Sequence, residues 1–224
     1  RDNILRFVAR LEESESSLLQ VRDGNVVDAM SGAVKMTLED VARTAYFRTD
    51  RVPRDFQPEL TVTRSYAQKA YAGVFTNGIH ASHVEIDTAT GFVKLLKHWV
   101  VDDCGTVINP LLVDEQLRGG VVQGIGGGLF EECIYSAEGQ LVNGSLIDYL
   151  VPMAGEMPDI VVGHTCTPTA TSELGAKGAG EAGAAGAAAA VMNAINDALK
   201  PLDARVTEQP FTPERILRAL RKVP

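Results

Sequence analysis

Apolar residues recur at helical spacing over Ile4–Arg10 and again over Thr37–Ala45. The second segment carries a capping threonine, Thr37, ahead of acids Glu39 and Asp40 in its first turn, where the helix dipole favours negative charge. Between the two, Leu18–Asp28 with Asp23-Gly24-Asn25 at its centre predicts a small hairpin. Arg48–Pro58 is charged, carries Pro53 and Pro58, and reads as a linker or surface loop. Glu59–Tyr66 then alternates apolar and polar positions as a strand does.

The clearest hairpin follows: His83–Asp87, a turn over Thr88–Gly91, and a long second strand from Phe92 to Asp102. Asn109 and Pro110 form a cap and first-position pair opening a helical run from Leu111 to about Tyr135. Gln140–Val151 and Asp159–Cys166 read as strands, and Thr167–Gly180 as a loop punctuated by proline and glycine. A helix over about Ala182–Leu199 comes next, with Asn193 and Asn196 on its polar side. Thr212-Pro213-Glu214 starts a last short helix. Strand, hairpin and helix signals mix without regular βαβ alternation, so the predicted class is α+β, mixed sheets with packed helices.

With 224 residues, 45% of them hydrophobic, the chain can fill a substantial core. Lys+Arg number 21 against Asp+Glu 29, a formal net charge of −8, which speaks against a general nucleic-acid binder or a protein lying on anionic membrane. No apolar run reaches the ~20 residues that span a bilayer, and the most apolar stretch, Ala182–Val191, is alanine and glycine. Cys104, Cys133 and Cys166 are odd in number and widely spaced, so they read as buried free thiols rather than a disulfide, zinc or iron–sulfur framework. The chain begins Arg1-Asp-Asn-Ile, with neither an initiator methionine nor a signal-peptide apolar region. A fragment, a processed chain or a trimmed one is therefore expected.

The chemistry concentrates in Gly175–Gly186, where a glycine-rich loop delivers one carboxylate, Glu181, to the start of the alanine-rich helix. Glycines bring backbone amides close to a partner, and a helix N-terminus offers free N–H groups and partial positive charge. Glu181 there is either a first-turn helix stabiliser or a base held beside a ligand. The preceding helix holds Gly119, Gly120, Gly124, Gly126, Gly127 and Gly128, each costing about 0.8–1 kcal/mol against alanine. Such a loss implies close approach of a helix or a ligand, and Gly120, Gly124 and Gly127 follow one helical face. Beside them Gln123 offers an amide with donors and an acceptor, suited to a heterocycle edge, unless it is a surface glutamine. Asp102 and Asp103, adjacent on a strand, diverge and read as a turn making side-chain-to-backbone bonds. His80 and His83 also diverge, so a shared metal is not expected. Gly178-Ala-Gly180-Glu-Ala-Gly183 matches the dinucleotide fingerprint, but a loop precedes it and Asp197 lies inside the helix, which places a nicotinamide-dependent dehydrogenase third among the readings.

Three stretches together resemble the molybdenum hydroxylases, the xanthine dehydrogenase, aldehyde oxidase and aerobic carbon monoxide dehydrogenase family. They are Val100–Pro110, Gly119–Gly126 with Glu131-Glu132, and Gly175–Glu181, supported by Asp148–Pro152 and Val84–Asp87. Their order and spacing fit the C-terminal part of the large, cofactor-binding subunit, most strongly from about Gly78 to Leu199. The resemblance implies peripheral helices and a hairpin over 1–58, a cofactor-binding core over 59–200 and a tail helix over 201–224. It also implies a molybdenum–pterin cofactor, with or without a dinucleotide extension, held through its pterin with no protein side chain on the metal. Glu181 matches the family's base at the molybdenum, and Gln123, followed by Gly124, matches the glutamine bonded to the pterin. The backbone of Lys177, Gly178, Ala179 and Gly180 is expected along the pocket. The partners implied are the N-terminal part of the large subunit, flavin (FAD) and iron–sulfur subunits or domains, and a small-molecule substrate, in a cytoplasmic setting. Without those parts, the chain by itself is expected to be inactive. A non-catalytic relative that keeps the fold for assembly is the second reading.

Overall fold

The computed structural model describes residues 1–67 and 74–223. The chain divides into two compact units, Arg1–Ala67 and Gln68–Pro224.

In the first unit, helix α1 (Asp2–Leu11) precedes a three-stranded antiparallel sheet of β1 (Leu19–Arg22), β2 (Asn25–Asp28) and β3 (Val34–Thr37), in the order β1-β2-β3. Helix α2 (Leu38–Phe47) follows at once, and Thr37 caps it by accepting the Asp40 amide at 3.0 Å. Phe7, Val8, Val26 and Val41 fill the core, and the Phe7 ring stacks on Phe56 at 5.8 Å. Both predicted helices and the hairpin form where their patterns place them. The strand expected over Glu59–Tyr66 does not. Alternation creates a strand only when a neighbour supplies the hydrogen-bond ladder, and no strand among the described residues pairs with this segment. Instead Glu59 gives its carbonyl to the Asn3 side-chain amide, and Leu60 turns its apolar side chain to the core.

The second unit carries a mixed sheet in the order β4-β5-β6. Strands β4 (Asn77–Ile86) and β5 (Val93–Asp103) are antiparallel, and β6 (Ile160–His164) runs parallel to β5. The hairpin turn is fastened by the Asp87 carboxylate, which accepts from Ala89 N and Thr90 Oγ1. Helices α3 (Pro110–Leu129) and α4 (Ala182–Leu199) pack together, and α4 also packs on β4. Their shared core includes Val100, Leu117, Val121, Ile125, Val191, Ile195 and Leu199, with Phe211 and Ile216 from the C-terminal stretch around α5 (Pro213–Ala219). An α+β architecture is what the sequence pattern predicts.

Helix α3 stops at Leu129 rather than running to Tyr135. The Gly126 carbonyl accepts from both Phe130 N and Glu131 N, and the chain leaves the axis there. Beyond it, side chains take the place of a ladder. Asn143 donates to the Glu132 carbonyl at 2.6 Å and accepts from Ile134 N at 2.8 Å, while Tyr149 Oη donates to Glu131 Oε2 at 2.7 Å. A turn at Ser145, whose carbonyl accepts from Asp148 N and Tyr149 N, prevents the strand expected over Gln140–Val151. One isolated bridge, Tyr135 to Leu141, is the extended pairing recorded in that stretch.

Candidate active site

Helix α4 begins where a run of glycines gives way to alanines, the best helix formers. Glu181 is its N-cap, and the Glu181 carbonyl accepts from Ala184 N and Ala185 N at 3.1 and 3.2 Å. The Glu181 side chain makes no capping bond and is exposed. Its carboxylate is therefore not committed to its own helix.

The loop leading to Glu181 is tied down at three points. Lys177 N donates to the Cys104 carbonyl at 2.7 Å, and Thr106 N to the Gly175 carbonyl at 3.1 Å, docking the loop on the end of β5. Gly105 adopts φ +69°, and a Cβ there would stand 2.3 Å from Gly175 O, so only glycine permits the approach. Second, Lys177 Nζ lies 3.0 Å from Asp103 Oδ1, and Asp103 also accepts from Gly105 N and Thr167 N at 3.0 and 2.9 Å. These donors, Thr167 foremost, hold the Asp103 carboxyl well below the usual carboxylate range. Third, Gln116 of α3 donates its side-chain amide to the Gly180 carbonyl at 2.7 Å, one residue before Glu181.

Helices α3 and α4 approach through small residues. Built Cβ atoms at Gly120 and Gly124 would meet Gly183 at 3.0 Å and the Ala184 carbonyl at 2.6 Å, and one at Gly183 would meet the Leu117 carbonyl at 2.3 Å. Gly128 completes the row against Ala188. The contact row is thus Gly120, Gly124 and Gly128, an i, i+4, i+8 ridge. Gly127, expected on this face, instead opens onto free space, as does Gly119. Gln116, Gly119, Gln123 and Gly127 share the neighbouring face by helical spacing, and Gln116 and Gln123 are exposed. Gly178 and Gly180 in the loop also meet nothing within 4 Å of a built Cβ. So an open glycine strip bearing Gln123 runs along α3, and Gln116 fastens the glycine loop to one end of it. Room for a planar group, backbone amides at a helix N-terminus and two side-chain amides suit a pterin better than a bare ion.

The other sequence expectations resolve as follows. Asp102 and Asp103, the last residues of β5, diverge: Asp103 takes the backbone amides described above, and Asp102 Oδ1 accepts from Thr76 Oγ1 at 3.2 Å. His83 is exposed, whereas His80 pairs with His98, and no group of three potential metal-ligating side chains occurs among the described residues. Cys104 is buried as expected, but Cys133 and Cys166 are exposed free thiols. The residues before Gly178 form a loop, and the third glycine of the fingerprint, Gly183, serves helix packing. Among the described residues no helix is long and apolar enough to cross a membrane.

Gln116 and His98 carry no mark in the sequence reading, and Asp103 is marked there for side-chain-to-backbone bonds but not for its pair with Lys177. Gln116 could have been singled out, because it lies seven residues before Gln123 on the same helical face. The Lys177 and Thr167 partners of Asp103, and the partners of His98, lie far along the chain and leave no local signal.

A cofactor-binding α+β domain built on an open helix face and a glycine loop is the class these features define. The family model for the molybdopterin cofactor-binding domain matches residues 1–158. The large subunit of nicotine 6-hydroxylase from Paenarthrobacter nicotinovorans is 39% identical over 223 residues, covering 100% of this chain and 27% of that protein. The carbon monoxide dehydrogenase large chain of Hydrogenophaga pseudoflava is 31% identical, covering 83% of this chain and 22% of its own length. In structure, quinoline 2-oxidoreductase from Pseudomonas putida 86 matches with a TM-score of 0.69 at 39% identity, over 100% of this chain and 28% of that one. The chain belongs to the molybdopterin cofactor-binding domain family of the molybdenum hydroxylases, and it spans about a quarter of the length of these relatives.

Proposed function

We propose that this chain forms part of the cofactor cradle of a molybdenum hydroxylase and contributes its catalytic base, Glu181. The cofactor, when bound, supplies a two-electron acceptor and the site at which water-derived oxygen is handed to the substrate. Gln123 hydrogen-bonds the pterin edge through its side-chain amide, and Gly124, the next residue, supports it by letting α3 close on α4. The backbone of Lys177, Gly178, Ala179 and Gly180 lies along the pocket, where the absence of side chains at the glycines allows close approach. Glu181 accepts, on a carboxylate oxygen, the proton that the attacking group gives up. Asp103 and Gln116 hold the loop so that this carboxylate stays in place.

The observation that carries the reading is that the Glu181 carboxylate makes no cap bond, at the end of a loop which Gln116 ties to the open face of α3. Among substrate classes, an N-heteroaromatic is favoured over an aldehyde. The nicotine and quinoline enzymes, each 39% identical, are named for such rings. Flavin and iron–sulfur centres on other subunits or domains carry the electrons away. Gln123→Ala in the complete enzyme tests the cradle: a fall in molybdenum content with unchanged folding is expected, and full occupancy contradicts it.

A further inference from the structure

Beneath the first turn of α4 lies a hydrogen-bonded chain that the base-and-cradle reading does not use. His98 on β5 is fully buried, 0% exposed. Its Nδ1 lies 2.9 Å from Ser82 Oγ, and its Nε2 lies 3.2 Å from His80 Nδ1 on the neighbouring strand. The His80 ring then meets α4. A Cβ built on Gly186 would stand 2.3 Å from His80 Cδ2 and 2.9 Å from Nε2, so the ring occupies a notch that only glycine leaves open. The backbone of Ala182, the residue after Glu181, faces the His80 ring and favours its charged form. A backbone group that favours imidazolium is a carbonyl, so the Ala182 carbonyl is the group turned towards the ring.

The hydrogen-bonded chain thus links Ser82, His98 and His80, and the His80 ring ends against the backbone of α4. Burial, the larger effect, and the neighbouring His80 hold His98 neutral down to about 4, and burial lowers His80 as well. The first turn of α4 is thereby gripped from both sides. Gln116 and the Gly120–Gly183 contact hold it from α3, and His80 holds it from the sheet.

We propose that His80, braced by His98 and Ser82, is a positioning residue for Glu181: it sets the first turn of α4 and so the attitude of the carboxylate. The proposal rests on the reading of Glu181 as the base. It predicts that His80 affects turnover through the helix without touching substrate or cofactor.

The test compares His80→Leu, His80→Gln and Gly186→Ala with the wild type in the complete, cofactor-loaded protein. Backbone hydrogen exchange over 184–187, kcat, KM and molybdenum content are read together. His80→Leu keeps the bulk but removes the bonds, and Gly186→Ala fills the notch while keeping both histidines. Each should speed exchange of 184–187 by about tenfold or more, leave 191–199 protected, and lower kcat with KM and molybdenum content unchanged. His80→Gln, whose amide offers both a donor and an acceptor to His98 and to the helix backbone, should restore both. Wild-type exchange in His80→Leu and Gly186→Ala overturns the proposal. So does faster exchange with unchanged kcat, or a loss of molybdenum that accounts for the lost rate. If Glu181→Gln itself retains turnover, the base reading falls and the positioning role with it. If that variant is inactive while His80→Leu exchanges like wild type, only the role of His80 falls.

Discussion

The Lys177 ammonium meets Asp103 at 3.0 Å, with their side chains only 7% and 12% exposed. This buried ion pair joins the end of β5 to the loop that carries Glu181. Its acid half also receives the Thr167 and Gly105 amides, so the carboxylate is satisfied on several sides. A buried charge costs heavily unless paired and hydrogen-bonded, and here it is both.

Asp103→Asn should flatten the acid limb of the stability curve. The folded carboxyl titrates below its ordinary 3.8, mainly through Thr167, so the unfolded chain takes up the proton first. Its contribution is complete above about pH 4 and is lost as the pH falls further. Urea midpoints across acid pH check this. The variant should be less stable near neutrality and lose less on acidification, and a wild-type slope in Asp103→Asn would contradict the buried pair.

His98 governs a different window. Its folded pKa of about 4 lies below the ordinary 6.5, so between those values the unfolded chain binds the extra proton. Stability should fall as the pH drops from about 6.5 to about 4 and gain no further loss from His98 below that. His98→Gln should shrink the slope in this window, leaving the part that His80, also lowered by burial, contributes, and should leave the Asp103 limb untouched. An unchanged slope would mean that His98 is not held neutral by burial.

The two glycine rows of α3 should answer oppositely to alanine. Gly127 faces free space, so Gly127→Ala should stabilise by about 0.5–1 kcal/mol through helix propensity and a less flexible unfolded chain. Gly124→Ala would drive a methyl to 2.6 Å from the Ala184 carbonyl. It should destabilise by about 1–3 kcal/mol as an overpacked contact. Thermal unfolding of both variants decides it, and equal responses would refute the packing row.

Much of this arrangement is legible along the chain because the signals are local. Alanine richness after a glycine run places α4 at Ala182–Leu199, and the Asn109-Pro110 pair starts α3 at Pro110. Glu181 and Gln123 stand out as polar groups in small-residue surroundings. What fails depends on distant partners. Glu59–Tyr66 has a strand's alternation but no ladder, and α3 overruns because nothing in its periodicity announces the turn at Gly126. Likewise Gly127 and Gly128 are neighbours in sequence, and only the position of Ala188 decides which of them meets α4. Asp103, Gln116 and His98 act through residues far along the chain, so spacing alone does not connect them to the loop.

The central claim is that Glu181 takes the proton in turnover, and Glu181→Gln in the complete, cofactor-loaded enzyme tests it most directly. The substitution keeps size and hydrogen-bonding reach while removing the base. The account predicts molybdenum content near that of the wild type, with turnover reduced by roughly 100-fold or more, the scale of general-base catalysis. Turnover close to wild type at equal molybdenum content would contradict it.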